Sequence, residues 1–124
     1  MEEIKLSIKN KDILYGILEI PWHHKLTDLT LWIIESVMNP LPMITCGYRK
    51  GDPGNHGTVP LRAIDLRSRD YDAKGLVEKI NCHWQYDSTR PDKRCAILHD
   101  VGKGMHIHLQ VHDTTTIIKG GWGG

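Results

Sequence analysis

Apolar and polar residues alternate along several short segments, and this period of two predicts β-strands. Ile4, Leu6 and Ile8 are separated by Lys5 and Ser7 at the start of the chain. The same reasoning, together with β-branched and apolar content, predicts further strands at 42–47, 61–67, 95–99, 105–112 and 114–118. The segments 95–99 and 105–112 flank Val-Gly-Lys-Gly at 101–104, which predicts a hairpin.

Two segments carry apolar residues at helical spacing instead. The first helix is predicted to begin near Thr27, a suitable N-cap, with Asp28 at the positive end of the helix dipole. Its apolar face comprises Leu29, Trp32, Ile33 and Val37, and Asn39-Pro40 ends it. The second helix is predicted over about 70–84, with one apolar stripe formed by Ala73, Leu76, Val77, Ile80 and Trp84.

The arrangement of these segments predicts one domain of the α+β class. We expect an antiparallel sheet of about four to five strands with two main helices, because most neighbouring strands are joined as hairpins. The 124 residues show no internal repeat, so we expect a single domain over 1–118. The Gly- and Pro-rich segment 49–60 is predicted to be a loop, and the Gly-rich segment 119–124 a tail.

Composition excludes several classes of function. Sixteen Lys and Arg residues against fifteen Asp and Glu residues give a net charge of +1, which does not favour a nucleic-acid partner. The longest run without these residues has thirteen members, too few to insert into a bilayer. The first residues lack the pattern of a signal peptide, so we expect synthesis and folding in a cytoplasm.

Cysteine and histidine are the residue types that suggest chemistry. The cysteines are Cys46, Cys82 and Cys95, with no Cys-x-x-Cys pair, so we expect buried free thiols rather than disulfides or a zinc knuckle. The chain has eight histidines and no phenylalanine. So much imidazole in a small neutral domain suggests metal binding or acid–base chemistry.

The predicted strand 105–112 carries a row of polar side chains. Ile107, Leu109 and Val111 alternate with His106, His108, Gln110 and His112. Side chains two residues apart share a face and lie about 6.5–7 Å apart, so two imidazoles can converge on one ion. The alternative is a solvated polar face on an edge strand.

A second group lies between the Gly-rich loop and the strand that follows it. His56 belongs to the loop, and Asp65 is predicted to share a strand face with Ala63 and Arg67. A small residue such as Ala63 leaves room beside the carboxylate. Two histidines and one carboxylate are a common ligand set for catalytic Zn²⁺, although His56 and Asp65, each taken by itself, are more often ordinary surface residues.

The order of these motifs resembles a superfamily of zinc peptidases named after lysostaphin, D-Ala-D-Ala carboxypeptidase and sonic hedgehog. The resemblance rests on Cys46-Gly47-Tyr48-Arg49, then the His56 to Asp65 segment, then His106-x-His108, and covers residues 43–112. The sequence is most similar to the small D-Ala-D-Ala carboxypeptidase and L-alanyl-D-glutamate peptidase branch, which includes phage endolysins. A hedgehog/DD-peptidase-like fold is implied.

The resemblance implies a role for each matched residue. His56, Asp65 and His108 become the zinc ligands, His106 the catalytic histidine, and Arg49 the residue that binds a substrate carboxylate. Three features depart from the family pattern. Cys46 stands where serine is usual, eight residues instead of six separate the first two ligands, and the His-x-His ending leaves the identity of the base open.

The implied activity is zinc-dependent hydrolysis of an amide bond in peptidoglycan stem peptides, by a carboxypeptidase or endopeptidase. The expected partner is this peptide substrate, with a monomeric enzyme acting at the bacterial cell wall and a separate pore protein for export. The alternative is a non-catalytic, zinc-stabilised, hedgehog-like binding module. His99 is expected to support the site, whereas structural or peripheral positions are expected for His23, His24, His83 and His112.

Overall fold

The computed structural model describes residues 7–8, 20–36, 43–48, 50–68, 72–100 and 105–118, and these residues form two helices and seven strands. The helices are α1 (His24–Ser36) and α2 (Ala73–His83). The strands are β1 (Ser7–Ile8), β2 (Met43–Cys46), β3 (Ala63–Arg67), β4 (Trp84–Gln85), β5 (Ala96–Asp100), β6 (Met105–Gln110) and β7 (Thr116–Ile117).

Five of the strands form one sheet in the order β1-β2-β3-β6-β5. The pairs among β2, β3, β6 and β5 are antiparallel, whereas β1 is parallel to β2. β4 and β7 form a separate two-stranded sheet. The α+β class and the mainly antiparallel sheet are therefore confirmed.

Alternate residues of the central strands face the hydrophobic core, as their period of two predicts. Ile64 and Leu66 of β3 and Ile107 and Leu109 of β6 are fully buried. They belong to one apolar cluster to which both helices contribute, through Leu26, Leu29, Ile33, Leu76 and Ile80. The other face of the same strands carries Asp65 on β3 and His106 and His108 on β6, and Asp65 is paired with His108.

The first helix begins at His24, three residues before the predicted start at Thr27. The carbonyl oxygen of His23 accepts from the backbone N–H groups of Leu26 and Thr27, and its ring Nδ1 accepts from that of Lys25. His23 therefore caps the helix in place of serine or threonine, which is why the usual cap residues did not reveal this start.

The second helix is shorter than predicted at both described ends. Asp72 is its N-cap and accepts a hydrogen bond from the backbone N–H of Gly75. Trp84 was predicted to be the last helical residue, but it is extended and pairs with Ile117. The tertiary pairing of β4 with β7 thus overrides the helical spacing of Trp84.

Several predictions fall on residues outside the described ranges. These are Ile4, Leu6, the end of the first helix at 37–40, Arg49, the hairpin turn at 101–104 and the tail at 119–124. The cysteines are free, as expected, but only Cys95 is buried; Cys82 is exposed and Cys46 half-buried. Within the described ranges, neither helix has the length and apolar character needed to span a bilayer.

Candidate metal centre

Three side-chain atoms from separate parts of the chain converge on the polar face of the sheet. Asp65 Oδ1 lies 3.0 Å from His108 Nδ1 and 3.1 Å from His56 Nε2. The two imidazole nitrogens lie 3.3 Å from each other. The structure thus brings together the three residues predicted to be metal ligands.

The pairing of β3 with β6 places two of these residues. Asp65 lies directly opposite His108, and Ala63 lies opposite Gln110 on the same face. β6 lies between β3 and β5, so its histidines do not form the solvated edge-strand face that was the alternative interpretation of this motif. Two paired interior strands therefore hold the carboxylate and the imidazole in register.

The loop before β3 delivers the third residue. His56 lies in a short 3₁₀-helix, Asn55–Gly57, and its side chain is buried. The carbonyl group of Asp52 lies where a Cβ at residue 57 would be, so only glycine fits there. Close packing of Gly57 on Asp52 keeps the loop folded against the sheet and turns His56 inward.

The tautomer of His56 follows from its second contact. His56 Nδ1 lies 2.7 Å from the carbonyl oxygen of Gly47, which can only accept, so Nδ1 carries the hydrogen and donates it. In the neutral ring Nε2 is then unprotonated, and its lone pair points at Asp65. A histidine ligand commonly has this arrangement, with one nitrogen held by a carbonyl and the other free to bind a metal.

A chain of amide contacts fixes the tautomer of His108 in the same way. Gln110 donates from Nε2 to the carbonyl oxygen of Arg94 at 2.8 Å, which leaves its Oε1 as an acceptor. This oxygen accepts from Asn55 Nδ2 and from His108 Nε2, each at 3.1 Å. His108 Nδ1 is therefore the unprotonated nitrogen, and it points toward Asp65.

Three acceptor atoms so close together need a cation between them. For Zn²⁺ with ligand distances of about 2.0–2.1 Å, two ligands of a tetrahedron lie about 3.3 Å apart. The observed separations of 3.0, 3.1 and 3.3 Å agree with that geometry. The cluster can hold a metal ion without rearrangement of its backbone.

Without a metal, a proton takes the place of the cation. Burial disfavours the charged forms of both His56 and Asp65, but their mutual hydrogen bonds outweigh it. The pKa of His56 is raised to about 10 by hydrogen bonds with Asp65 and Cys46. The pKa of Asp65 lies well below its usual range because hydrogen-bond contacts with His108 and His56 favour its charged form.

Cys46 belongs to the same neighbourhood, although sequence analysis assigned it no role beyond matching a family serine. It lies opposite Asp65 on β2, and its Sγ is 3.9 Å from His56 Nδ1. Ligand atoms of Cys46, His56 and Asp65 lie within 4.8 Å of one another. Only the register of β2 on β3 reveals this proximity, and the sequence carries no signal for that register.

His106 lies beside the three-atom cluster and not within it. Its Nε2 is 3.5 Å from Asp65 Oδ2, the carboxylate oxygen that His56 and His108 do not contact. His99 lies opposite His106 on β5, and the two rings are 4.4 Å apart. The pKa of His99 is lowered by burial and by the neighbouring imidazoles of His106 and His108.

The cluster opens into a cleft of about 610 Å³ whose wall includes His56, His108, Asp65 and His106. Basic side chains from other parts of the cleft wall are Arg62, Arg90 and Lys93. Arg90 is held by Asp87, which accepts from its Nε at 2.9 Å, and its guanidinium lies 5.3 Å from the ring centre of Tyr86. The cleft therefore combines a cation site with a basic wall.

The other histidines take structural or peripheral positions. His23 is buried and contacts Asp113 through Nε2 at 2.8 Å. His83 packs against Trp32, with ring centres 5.1 Å apart. His112 lies on the cleft wall, where its Nδ1 is 3.1 Å from the hydroxyl of Thr114.

Comparison with known proteins yields no match to a protein-family model, a curated protein or a solved structure. The functional assignment therefore depends on the chemistry of the cleft and on the motifs of the chain itself.

Proposed function

We propose that this protein is a zinc-dependent metallopeptidase that hydrolyses an amide bond in peptidoglycan stem peptides, as a carboxypeptidase or an endopeptidase. One observation carries the proposal: the unprotonated nitrogens of His56 and His108 and one oxygen of Asp65 form a triangle with sides of 3.0–3.3 Å at the wall of a cleft. Three protein ligands facing a cleft are typical of catalytic zinc sites, which keep a position for water or substrate.

The order of motifs along the chain supports the same family. The His56 to Asp65 segment and His106-x-His108 occur in the order of the zinc peptidases that the sequence resembles. The two extra residues, Val59 and Pro60, lie in the loop before β3, and Asp65 still faces His108. The longer spacing is thus compatible with a place in that superfamily.

Zinc held by these side chains supplies Lewis-acid polarisation of the scissile carbonyl and lowers the pKa of water toward about 7. His106 is the general base of the proposal: it accepts a proton from the attacking water. Its imidazolium form can then donate that proton to the leaving amine or stabilise negative charge on the carbonyl oxygen. Its Nε2 lies 3.5 Å from Asp65 Oδ2, close enough to serve the same reacting group as the metal ligands.

The basic side chains of the cleft wall favour a substrate that carries carboxylates, such as a peptidoglycan stem peptide. Arg62, Arg90 and Lys93 line the cleft, and a guanidinium can bind a carboxylate with two parallel hydrogen bonds. Arg49, which the family resemblance assigns to the substrate carboxylate, lies outside the described residues. Its role remains part of the proposal, as does action at the cell wall.

The second candidate is a non-catalytic binding module with a structural zinc ion. The 3.5 Å distance from His106 Nε2 to Asp65 Oδ2 favours it, because a small movement would bring His106 in as a fourth protein ligand. A tetrahedral site closed by four protein ligands leaves no position for water. Such a site would stabilise the fold and hydrolyse nothing.

The deciding experiment is product analysis of purified peptidoglycan by mass spectrometry. The protein is compared metal-free, reconstituted with zinc, and as zinc-loaded His106→Ala. We expect new amino and carboxyl ends only with zinc, and a rate at least about 100-fold lower in the variant, as for loss of a general base. Absence of products from the zinc-loaded protein would favour the binding module.

A further inference from the structure

We propose that Asp65, His99 and His106 form a second, weaker divalent-metal site next to the first, with Asp65 shared between the two. Ligand atoms of these three side chains lie within 4.8 Å of one another. The first site uses Asp65 Oδ1, which leaves Oδ2 on the side of His106. A carboxylate that faces two groups of nitrogen ligands can bridge two metal ions about 3.5–4 Å apart.

The sheet register builds the second group as it builds the first. His99 on β5 and His106 on β6 lie directly opposite each other. His106 precedes His108 by two residues on the same strand. The strand period of two places His106 and His108 on one face, so each imidazole pairs with a different oxygen of the same carboxylate. The two sites are consecutive rows of one polar surface.

The surroundings of His99 Nε2 indicate that this nitrogen binds a ligand from outside the protein. His99 Nε2 is buried and has no hydrogen-bond partner among the residues that the structure describes. A buried polar atom without a partner costs free energy, which a bound cation would recover.

Two features make this site weaker than the first. His106 Nε2 lies 3.5 Å from Asp65 Oδ2, a longer separation than the 3.0–3.3 Å between the ligand atoms of the first site. Two dications would also share one carboxylate, with Arg67 opposite His106 adding positive charge. We therefore expect the second ion to bind at least about 10-fold more weakly than the first.

Occupancy of the second site has a consequence for activity, and this part depends on the proposed peptidase function. A metal ion bound to His106 Nε2 removes the lone pair that accepts the proton in the proposed reaction. Zinc would then activate the protein at one equivalent and inhibit it at higher concentration.

The test is zinc binding to the full-length protein, which requires no substrate. Titration of metal-free protein should show two equivalents, with the second at least about 10-fold weaker. His99→Phe keeps an aromatic ring against His106 but removes the nitrogen ligands, so it should bind one equivalent. His112→Phe makes the same change elsewhere on the cleft wall and should bind two.

Histidine ring ¹⁵N NMR of the wild-type protein gives a second readout that needs no variant. The first equivalent should shift the ring nitrogens of His56 and His108, and the second those of His99 and His106. One equivalent only in the wild type, or two in His99→Phe with unchanged affinity, would overturn the second site. Two bound equivalents, together with no hydrolysis at a single equivalent of zinc, would leave the second site intact and refute the peptidase.

Discussion

Asp65 and His108 face each other across two paired antiparallel strands, with 3.0 Å between Asp65 Oδ1 and His108 Nδ1. Both strands lie inside the five-stranded sheet, with β2 and β5 on their outer sides. The candidate metal centre is therefore attached to the most constrained part of the fold. Ligands on such elements keep their geometry better than ligands on loops do.

The first prediction concerns Gln110, which contacts the centre only through His108. Gln110→Leu removes the oxygen that accepts from His108 Nε2. The ring then loses the contact that fixes its tautomer, and we expect zinc affinity to fall about 10–100-fold. Competition with a chromophoric chelator measures this change.

Gln110→Glu is the matched control, because it loses the donor to the Arg94 carbonyl, as Gln110→Leu does, but keeps the oxygen that accepts from His108. We expect its zinc affinity to stay within about threefold of the wild type or to rise, because a carboxylate accepts more strongly from His108. Unchanged affinity in Gln110→Leu would contradict the tautomer assignment.

The second prediction separates the catalytic from the structural function of His106. His106→Ala should retain one tightly bound zinc, because Nε2 is not among the three atoms that form the 3.0–3.3 Å triangle. Turnover should fall about 100-fold or more, as expected when a general base is lost. Metal analysis and peptide hydrolysis on the same sample check both statements.

Loss of zinc together with thermal stability in His106→Ala would instead identify His106 as a structural ligand. Full activity in the variant would exclude it as the base.

The third prediction is a pH effect on stability from Asp87, away from the metal centre. Its carboxylate accepts from the backbone N–H and hydroxyl of Thr89 and from Arg90 Nε, which hold its pKa below the usual range. A lowered folded-state pKa stabilises the fold above the unfolded value of about 3.9 and loses this contribution as pH falls below it. Asp87→Asn should therefore be destabilised at pH 7, and the difference from the wild type should shrink toward pH 3.

Urea unfolding of metal-free wild type and variant at both pH values measures this difference. Asp92→Asn, an exposed carboxylate on the same loop, should change stability little at either pH. If the free energies of unfolding of the wild type and Asp87→Asn differed by the same amount at pH 7 and pH 3, these hydrogen bonds would not depend on ionisation of Asp87.

The fourth prediction concerns thiol reactivity. Burial raises the pKa of Cys95 to about 12, so almost no thiolate is present at pH 8. Cys82 is exposed on α2. A brief maleimide pulse followed by peptide mapping should label Cys82 in the folded protein and Cys95 only after unfolding. Equal labelling rates for the two thiols would place Cys95 at the surface.

The sequence could predict which residues share a face, because strand period alone determines it. His106 and His108 alternate with buried Ile107 and Leu109, and Asp65 alternates with buried Ile64 and Leu66. The residue types and the family resemblance suggested His56 as a ligand, but strand period could not place it on this face. The loop that delivers it has no periodicity.

Features set by long-range contacts could not be predicted in the same way. Cys46 joins the polar surface through the register of β2, which depends on distant parts of the chain. A supporting place was expected for His99, but its position opposite His106 depends on the register of β5. The tautomer of His108 depends on Gln110, Asn55 and the carbonyl of Arg94, which are separated in sequence. The cap of α1 uses a histidine ring, for which no sequence rule exists.

The central claim is that His56, Asp65 and His108 hold a metal ion, and anomalous X-ray scattering at the zinc edge tests it most directly. In crystals of protein loaded with one equivalent of zinc, we expect one strong anomalous peak. It should lie about 2.0–2.2 Å from His56 Nε2, Asp65 Oδ1 and His108 Nδ1. A peak elsewhere, or one bound through the opposite nitrogen of either histidine, would contradict the account.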